Sequence, residues 1–282
     1  PHLRCGTALS RAMAPRFQRI LVAGGDGFIG RHLCRALKER GIEVIVVDDH
    51  STSCALPSNL WQTIEQDVSA LSLAGLPRVD AVIHLAQSRR FREFPDGVAD
   101  VLAVNVASTE QLTRYAVRAG ASHFVYASSG GVYATSHAPL HESAPLATPA
   151  QVGWYQASKI AAEALVHAYR YALTPVVLRP FFVYGKGQAR HMLLPRLCDA
   201  IRAGRPIQLA GEQGMSLSLT HADDAAAQEG VVLFVAGEQG AFHHLGQVHE
   251  REHGSVEVGE VATEDVLLLR CEHFGDVGRH DR

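Results

Sequence analysis

Three glycines spaced Gly24-x-x-Gly27-x-x-Gly30 follow directly on the apolar run Ile20-Leu21-Val22-Ala23 and open a stretch, Phe28 to Arg40, with helical periodicity. A strand, a turn of small residues and a helix in that order let the backbone approach a pyrophosphate, whose charge then rests on helix N–H groups and the helix dipole. The spacing is looser than G-x-G-x-x-G, so its placement carries the weight. Val44-Ile45-Val46-Val47 ends in Asp48, about twenty residues on, where a carboxylate holds both ribose hydroxyls of a dinucleotide. The same charge repels a 2′-phosphate, which favours NAD over NADP.

The alternation continues. Trp61 to Glu65, Ala81 to Leu85, Phe124 to Ala127 and Pro175 to Leu178 read as strands, and Val98 to Ala119 and Tyr155 to Tyr171 as helices. Continuous apolar strands between helices predict an α/β doubly wound parallel sheet of Rossmann type. Ligands bind such sheets at the carboxyl ends of the strands, where the Gly24 turn, Asp48, Ala86 and Ser129 fall. Past Tyr184 the pattern loosens. Leu193 to Ala203 and Ala222 to Val235 read as helices, Pro206 to Leu209 and Val266 to Leu269 as short strands. The expected organisation is a leader or cloning remnant over 1–14, an NAD-binding domain over 15–184, and a smaller C-terminal substrate lobe over 185–282. Within that lobe, 222–236 is expected to pack back on the first domain.

A second motif supplies acid–base chemistry. In Tyr155-Gln156-Ala157-Ser158-Lys159 the lysine lies one helical turn beyond the tyrosine, on the same face. A free phenol ionises near a pH of about 10. The ammonium, with the charge of an oxidised nicotinamide, is expected to bring Tyr155 toward the neutral range. Ser129, at the end of the fifth strand, is placed to hydrogen-bond a reacting hydroxyl.

Bulk properties exclude other classes. The net charge of -3 gives no overall basic field for nucleic acid. No apolar run approaches the ~20 residues of a membrane span. Five cysteines without a C-x-x-C pair fit reduced thiols in a cytoplasmic protein better than a disulfide framework. His249-Glu250-Arg251-Glu252-His253 matches H-E-x-x-H but lies in a His- and Glu-rich tail without helical period, so no metal site is assigned.

Taken in order, these motifs resemble the extended short-chain dehydrogenase/reductases of the NAD-dependent epimerase/dehydratase family. The resemblance runs from Arg19 to Ala227. It rests on Gly24-Gly25-Asp26-Gly27-Phe28-Ile29-Gly30, Asp48, Asp67-Val68, His84-Leu85-Ala86, Asn105-Val106 and Ser128-Ser129-Gly130-Gly131-Val132-Tyr133. Tyr155 to Lys159, Leu178 to Gly185 and His221-Ala222-Asp223-Asp224 complete it.

The resemblance implies that Ser129, Tyr155 and Lys159 are catalytic. It implies that Gly24, Gly27, Phe28, Ile29, Gly30 and Asp48 hold NAD, with Asp67 and Val68 at the adenine. Leu85, Ala86, Gln87 and Asn105 would line the cofactor cleft, Arg89 would lie near the pyrophosphate, and Pro180 and Val183 would pass beside the nicotinamide. Tyr155 and Lys159 would also contact the cofactor. The implied function is a UDP-hexose 4-epimerase-like sugar-nucleotide epimerase or dehydratase, and the family suggests a homodimer.

Two departures bear on the substrate. Phe182 stands where sugar-nucleotide members usually carry Asn, and Leu217 where they commonly carry an Arg that grips the diphosphate. Such handles are worth about 1.5–3 kcal/mol each. Their loss keeps open a dehydrogenase or reductase of a non-nucleotide substrate, and a third alternative is an NAD-binding protein without turnover.

Overall fold

Alternation along the strands decides the layers. In β1 (Arg19–Ala23), Ile20 and Val22 enter one buried cluster while Leu21 and Ala23 enter another on the opposite face. The computed structural model describes residues 17–52, 60–136, 140–207 and 218–226. Around β1 lie β2 (Glu43–Asp48), β3 (Gln62–Glu65), β4 (Ala81–His84), β5 (His123–Ala127) and β6 (Thr174–Leu178), all parallel, in the order β3-β2-β1-β4-β5-β6. This is the doubly wound Rossmann-type order, and the chain reverses direction across the sheet between β1 and β4. The predicted fold class is therefore the observed one.

Helix α1 (Phe28–Glu39) buries Leu33, Cys34 and Leu37 against Ile20, Val22, Val44 and Val46. The other face is covered by α3 (Ser108–Ala119) and α4 (Trp154–Ala168), through Leu112, Tyr115, Ala116, Ala162 and Val166. Cys198, on α5 (Leu193–Arg202), is buried as well.

The predicted single helix from Val98 to Ala119 is interrupted. A short α2 (Val98–Val101) runs through a π-helical stretch, Leu102–Ala107, before α3. The hydroxyls of Ser108, Thr109 and Thr113 each donate to the carbonyl four residues earlier, competing with the regular ladder. α4 ends at Ala168 rather than Tyr171, because Arg170 and Tyr171 form a turn.

Two strands were not anticipated: β7 (Phe182–Tyr184) and β8 (Leu219–His221) pair in parallel as a separate ribbon. Three residues carry no readable period. Pro206 and Ile207, expected in a strand, are not in one. Residues 222–226 are helical, and Ala226 joins the core cluster beneath α1. The His32 imidazole is buried and spans Asp223 Oδ1 at 2.5 Å and the Lys186 carbonyl at 2.9 Å, which ties α1 to the segments after β7 and β8. The 1–14 leader, Gln208 and Leu209, Leu217, 227–236, the 266–269 strand and the His249–His253 motif lie outside the described residues.

Candidate active site

The cradle is closed to side chains at two points. Gly24 has φ +81°, and a Cβ there would lie 2.6 Å from the Ala86 amide nitrogen; at Gly30 a Cβ would meet the Gly24 carbonyl oxygen at 2.3 Å. α1 begins with Gly27 as its cap, with no side-chain cap bond and no acidic residue in the first turn. Its N-terminal N–H groups and dipole are thus left for an anion. Phe28 and Ile29 are half-buried in that turn.

Asp48 sits at the end of β2. Its carboxylate accepts from the Asp26 amide at 3.0 Å and the His50 amide at 2.8 Å. Burial pushes its pKa up, and these two hydrogen bonds hold it back. Sequence reasoning missed Asp26. It is wholly buried, and its carboxylate accepts from Trp61 Nε1 at 3.1 Å and Thr63 Oγ1 at 3.0 Å, which anchors the glycine turn toward β3. A glycine turn that no Cβ could enter, an uncapped helix start and a strand-end carboxylate fit a dinucleotide with an unphosphorylated ribose.

The other expected cofactor residues divide. Leu85 and Ala86 are set by amides that both donate to the Ala23 carbonyl, at 2.8 and 3.0 Å. Arg89 donates to the Ser51 carbonyl, a few residues beyond the end of β2. The Pro180 carbonyl accepts from the Gly130 amide at 2.8 Å, and Val183 is half-buried on β7. Asp67 caps a 3₁₀ turn, accepting from the Ser69 amide and hydroxyl at 2.8 Å, while Val68 points into the core.

Asn105, expected to line the cofactor cleft, turns its side chain inward. It is fully buried in the π-helical stretch, accepting from the Ser88 amide at 2.9 Å and donating to Ser158 Oγ at 3.0 Å. Ser158 Oγ in turn donates to the Tyr155 carbonyl at 2.7 Å. Asn105 thus pins the loop after β4 to the helix carrying Tyr155.

The catalytic candidates converge at the carboxyl end of β5. Ser129 follows the strand and accepts from the Gly131 amide at 3.1 Å. Tyr155 lies in the first turn of α4, with its ring 5.0 Å from that of Phe91. Its hydroxyl donates to Gln87 Oε1 at 2.9 Å. Lys159 is buried, donates to the Ala127 carbonyl at 2.8 Å and lies 5.8 Å from the centre of the Tyr155 ring.

The expected shift of Tyr155 toward neutral pH included the charge of an oxidised nicotinamide. In the chain by itself, burial raises the Tyr155 pKa and hydrogen bonding with Ser129 only partly offsets this. Burial also lowers the Lys159 pKa to about 7, against the pull of Glu163. The lysine does not by itself bring the phenol into the neutral range, because both groups are desolvated together. Beneath them lies a buried group that sequence reasoning missed. Glu163 receives Arg179 Nε at 3.0 Å, Arg179 Nη2 at 2.6 Å and the Ser128 hydroxyl. Its sequence signal was the spacing from Lys159, one further helical turn on the same face.

Among the described residues no helix is long and apolar enough to cross a membrane, and no group of three or more His, Cys, Asp or Glu could hold a metal ion.

The decisive comparison is a family model described as the NAD dependent epimerase/dehydratase family, which matches residues 20–239. The chain belongs to the NAD-dependent epimerase/dehydratase family. It is an enzyme of that family, and NAD is the cofactor that the Gly24 cradle and Asp48 fit.

Three relatives illustrate the family's range. The UDP-glucose 4-epimerase of Azospirillum brasilense is 32% identical over 206 residues, covering 67% of this chain and 58% of that protein. The chain therefore spans less than two thirds of that curated relative. A UDP-glucuronic acid 4-epimerase from Bacillus cereus, solved with UDP-glucuronic acid and NAD, superposes with a TM-score of 0.71 at 25% identity, over 82% of this chain and 78% of that one. DesIV, a dTDP-glucose 4,6-dehydratase from Streptomyces venezuelae solved with NAD and TYD bound, gives 0.69 at 27% identity, over 80% and 75%.

Proposed function

We propose that the protein is a sugar-nucleotide epimerase or dehydratase that oxidises a sugar carbinol carbon, with Tyr155 as acid–base. The observation that carries this reading is the convergence of Tyr155, Ser129 and Lys159 at the end of β5, beside the strand ends that form the cofactor cradle. Bound oxidised NAD supplies a hydride acceptor and a positive charge. The Tyr155 phenolate takes the proton of the substrate hydroxyl as the carbon is oxidised. Ser129 Oγ hydrogen-bonds that hydroxyl and fixes its direction. Lys159, held by the Ala127 carbonyl, would hold the nicotinamide ribose and add its charge behind the phenolate.

Asp48 is the proposed ribose ligand. Arg89 would serve the pyrophosphate, and Pro180 and Val183 would flank the nicotinamide. The Rossmann domain of 15–184 carries this machinery and the C-terminal lobe carries the sugar nucleotide. A homodimer through the 98–119 and 154–168 helices accords with the exposed Leu102 and Val117 on the first of them.

Phe182, 41% exposed on β7, favours one other reading: a dehydrogenase of a non-nucleotide substrate. An apolar ring replaces the amide expected at that position. Proton NMR of the protein with NAD and a panel of UDP- and dTDP-hexoses, beside Tyr155→Phe, separates the two. New anomeric or ketone signals that vanish in the variant support the sugar-nucleotide reading. An unchanged panel with NAD bound overturns it in favour of the other.

A further inference from the structure

Gln87 touches the catalytic oxygen, yet its place in the sequence suggested only a wall of the cofactor cleft. We propose that Gln87 is the reversible hydrogen-bond partner of Tyr155, its amide oxygen accepting from the phenol and its amide nitrogen, turned over, donating to the phenolate.

The geometry supports each half. Gln87 Oε1 lies 2.9 Å from Tyr155 Oη and accepts its proton. The backbone at Gln87 is fixed on both sides. Ala86 N is bound to the Ala23 carbonyl and Ser88 N to Asn105 Oδ1, so the contact is made by a side chain whose base cannot drift. Among the described residues Nε2 has no other partner, so rotating the amide breaks no bond but the one to Tyr155.

An amide is suited to this task because one rotation exchanges an acceptor for a donor. A carboxylate accepts only, and an ammonium donates only. Of the other neighbours of Tyr155, the Ser129 hydroxyl can donate as well as accept, but it already accepts from the Gly131 amide and is the group proposed to hold the substrate hydroxyl. Lys159 directs its Nζ to the Ala127 carbonyl, and the Phe91 ring closes an apolar side.

The proposal rests on the acid–base role of Tyr155. When Tyr155 takes the substrate hydroxyl proton, the new phenol O–H needs an acceptor, which is Oε1. When the proton returns, the phenolate needs a donor in a half-buried site, which is Nε2. No bond other than O–H and hydrogen bonds is made or broken.

The test is an ultraviolet titration of phenolate absorbance, with and without NAD, in which subtracting Tyr155→Phe isolates the ionisation of Tyr155. Gln87→Glu keeps the shape and the acceptor but loses the donor; Gln87→Leu loses both. The expected result is an upward move of the Tyr155 midpoint in both, by more than about one pH unit for the carboxylate and by less for leucine. The direction for leucine follows because a hydrogen bond to a charge outweighs one to a neutral phenol. A midpoint unmoved or lowered in Gln87→Leu would overturn the proposal while leaving Tyr155 as the acid–base. A wild-type difference without any ionisation step would overturn both.

Discussion

The Lys159 ammonium donates to the main-chain carbonyl of Ala127 at 2.8 Å, so it hangs from the end of β5 rather than from the Tyr155 hydroxyl one helical turn away. A buried cation fixed to a carbonyl acts on the phenol through its field. That field is available only while the lysine is protonated, and burial has lowered its pKa to about 7. Anything that adds negative charge to the site raises the charged fraction, and Glu163 already does so.

The folded protein releases the Lys159 proton near 7 and the unfolded chain near 10.5. Between those values the unfolded state binds more protons, so Lys159 adds to folding stability as pH rises through that window, and its burial penalty is fully present below it. Urea denaturation of the NAD-free protein across this range is expected to show that slope, and Lys159→Met to remove it. Identical slopes would mean the lysine is not desolvated as described.

Glu163 and Arg179 form a bidentate pair with side chains only 7% and 8% exposed. Removing one partner leaves the other charge buried and uncompensated. Glu163→Ala is expected to cost about 3–5 kcal/mol of folding stability by chemical denaturation. A loss below about 1 kcal/mol would place the pair among those that solvent rescues.

Gly30 has no room for a methyl group, since a Cβ would lie 2.3 Å from the Gly24 carbonyl oxygen and 2.6 Å from Gly25 Cα. Both are backbone atoms, so the turn itself must move. Gly30→Ala is expected to destabilise the fold by about 1–3 kcal/mol and to weaken NAD binding by more than about tenfold in calorimetry. NAD affinity unchanged in a folded variant would remove this turn from the binding site.

Asp48 is the proposed determinant of cofactor preference. Asp48→Asn removes a charge-assisted contact worth about 1.5–3 kcal/mol, so the NAD dissociation constant is expected to rise about ten- to a hundredfold. NADP binding is expected to improve, as repulsion of the 2′-phosphate goes with the charge. Equal losses for both dinucleotides would argue that Asp48 serves the loop, through the Asp26 and His50 amides, rather than the ribose.

Much of this was legible in the sequence because it is local. Strands buried on both faces read as apolar runs, the Gly24 turn sits between a strand and a helix, and Tyr155 and Lys159 share a helical face. Contacts between side chains far apart in the chain were not legible. Gln87 meets Tyr155 across 68 positions, and Trp61 meets Asp26 across 35. Asn105 was read as a cleft residue from its motif, yet the π-helical stretch turns its amide inward. The desolvation of Tyr155 and Lys159 was not legible for a related reason: spacing reports which groups are neighbours, and desolvation depends on what surrounds them both.

In the proposed reaction a sugar hydroxyl carbon surrenders hydride to bound NAD while Tyr155 takes the proton. Rapid mixing of the NAD-loaded protein with UDP- or dTDP-hexoses, unlabelled or deuterated at C4, tests it through the absorbance of the reduced nicotinamide. Reduced cofactor is expected to form transiently and more slowly with the deuterated sugar, and Tyr155→Phe to slow it by about a hundredfold or more. No reduced cofactor with any of these sugars, in protein shown to hold NAD, would contradict it.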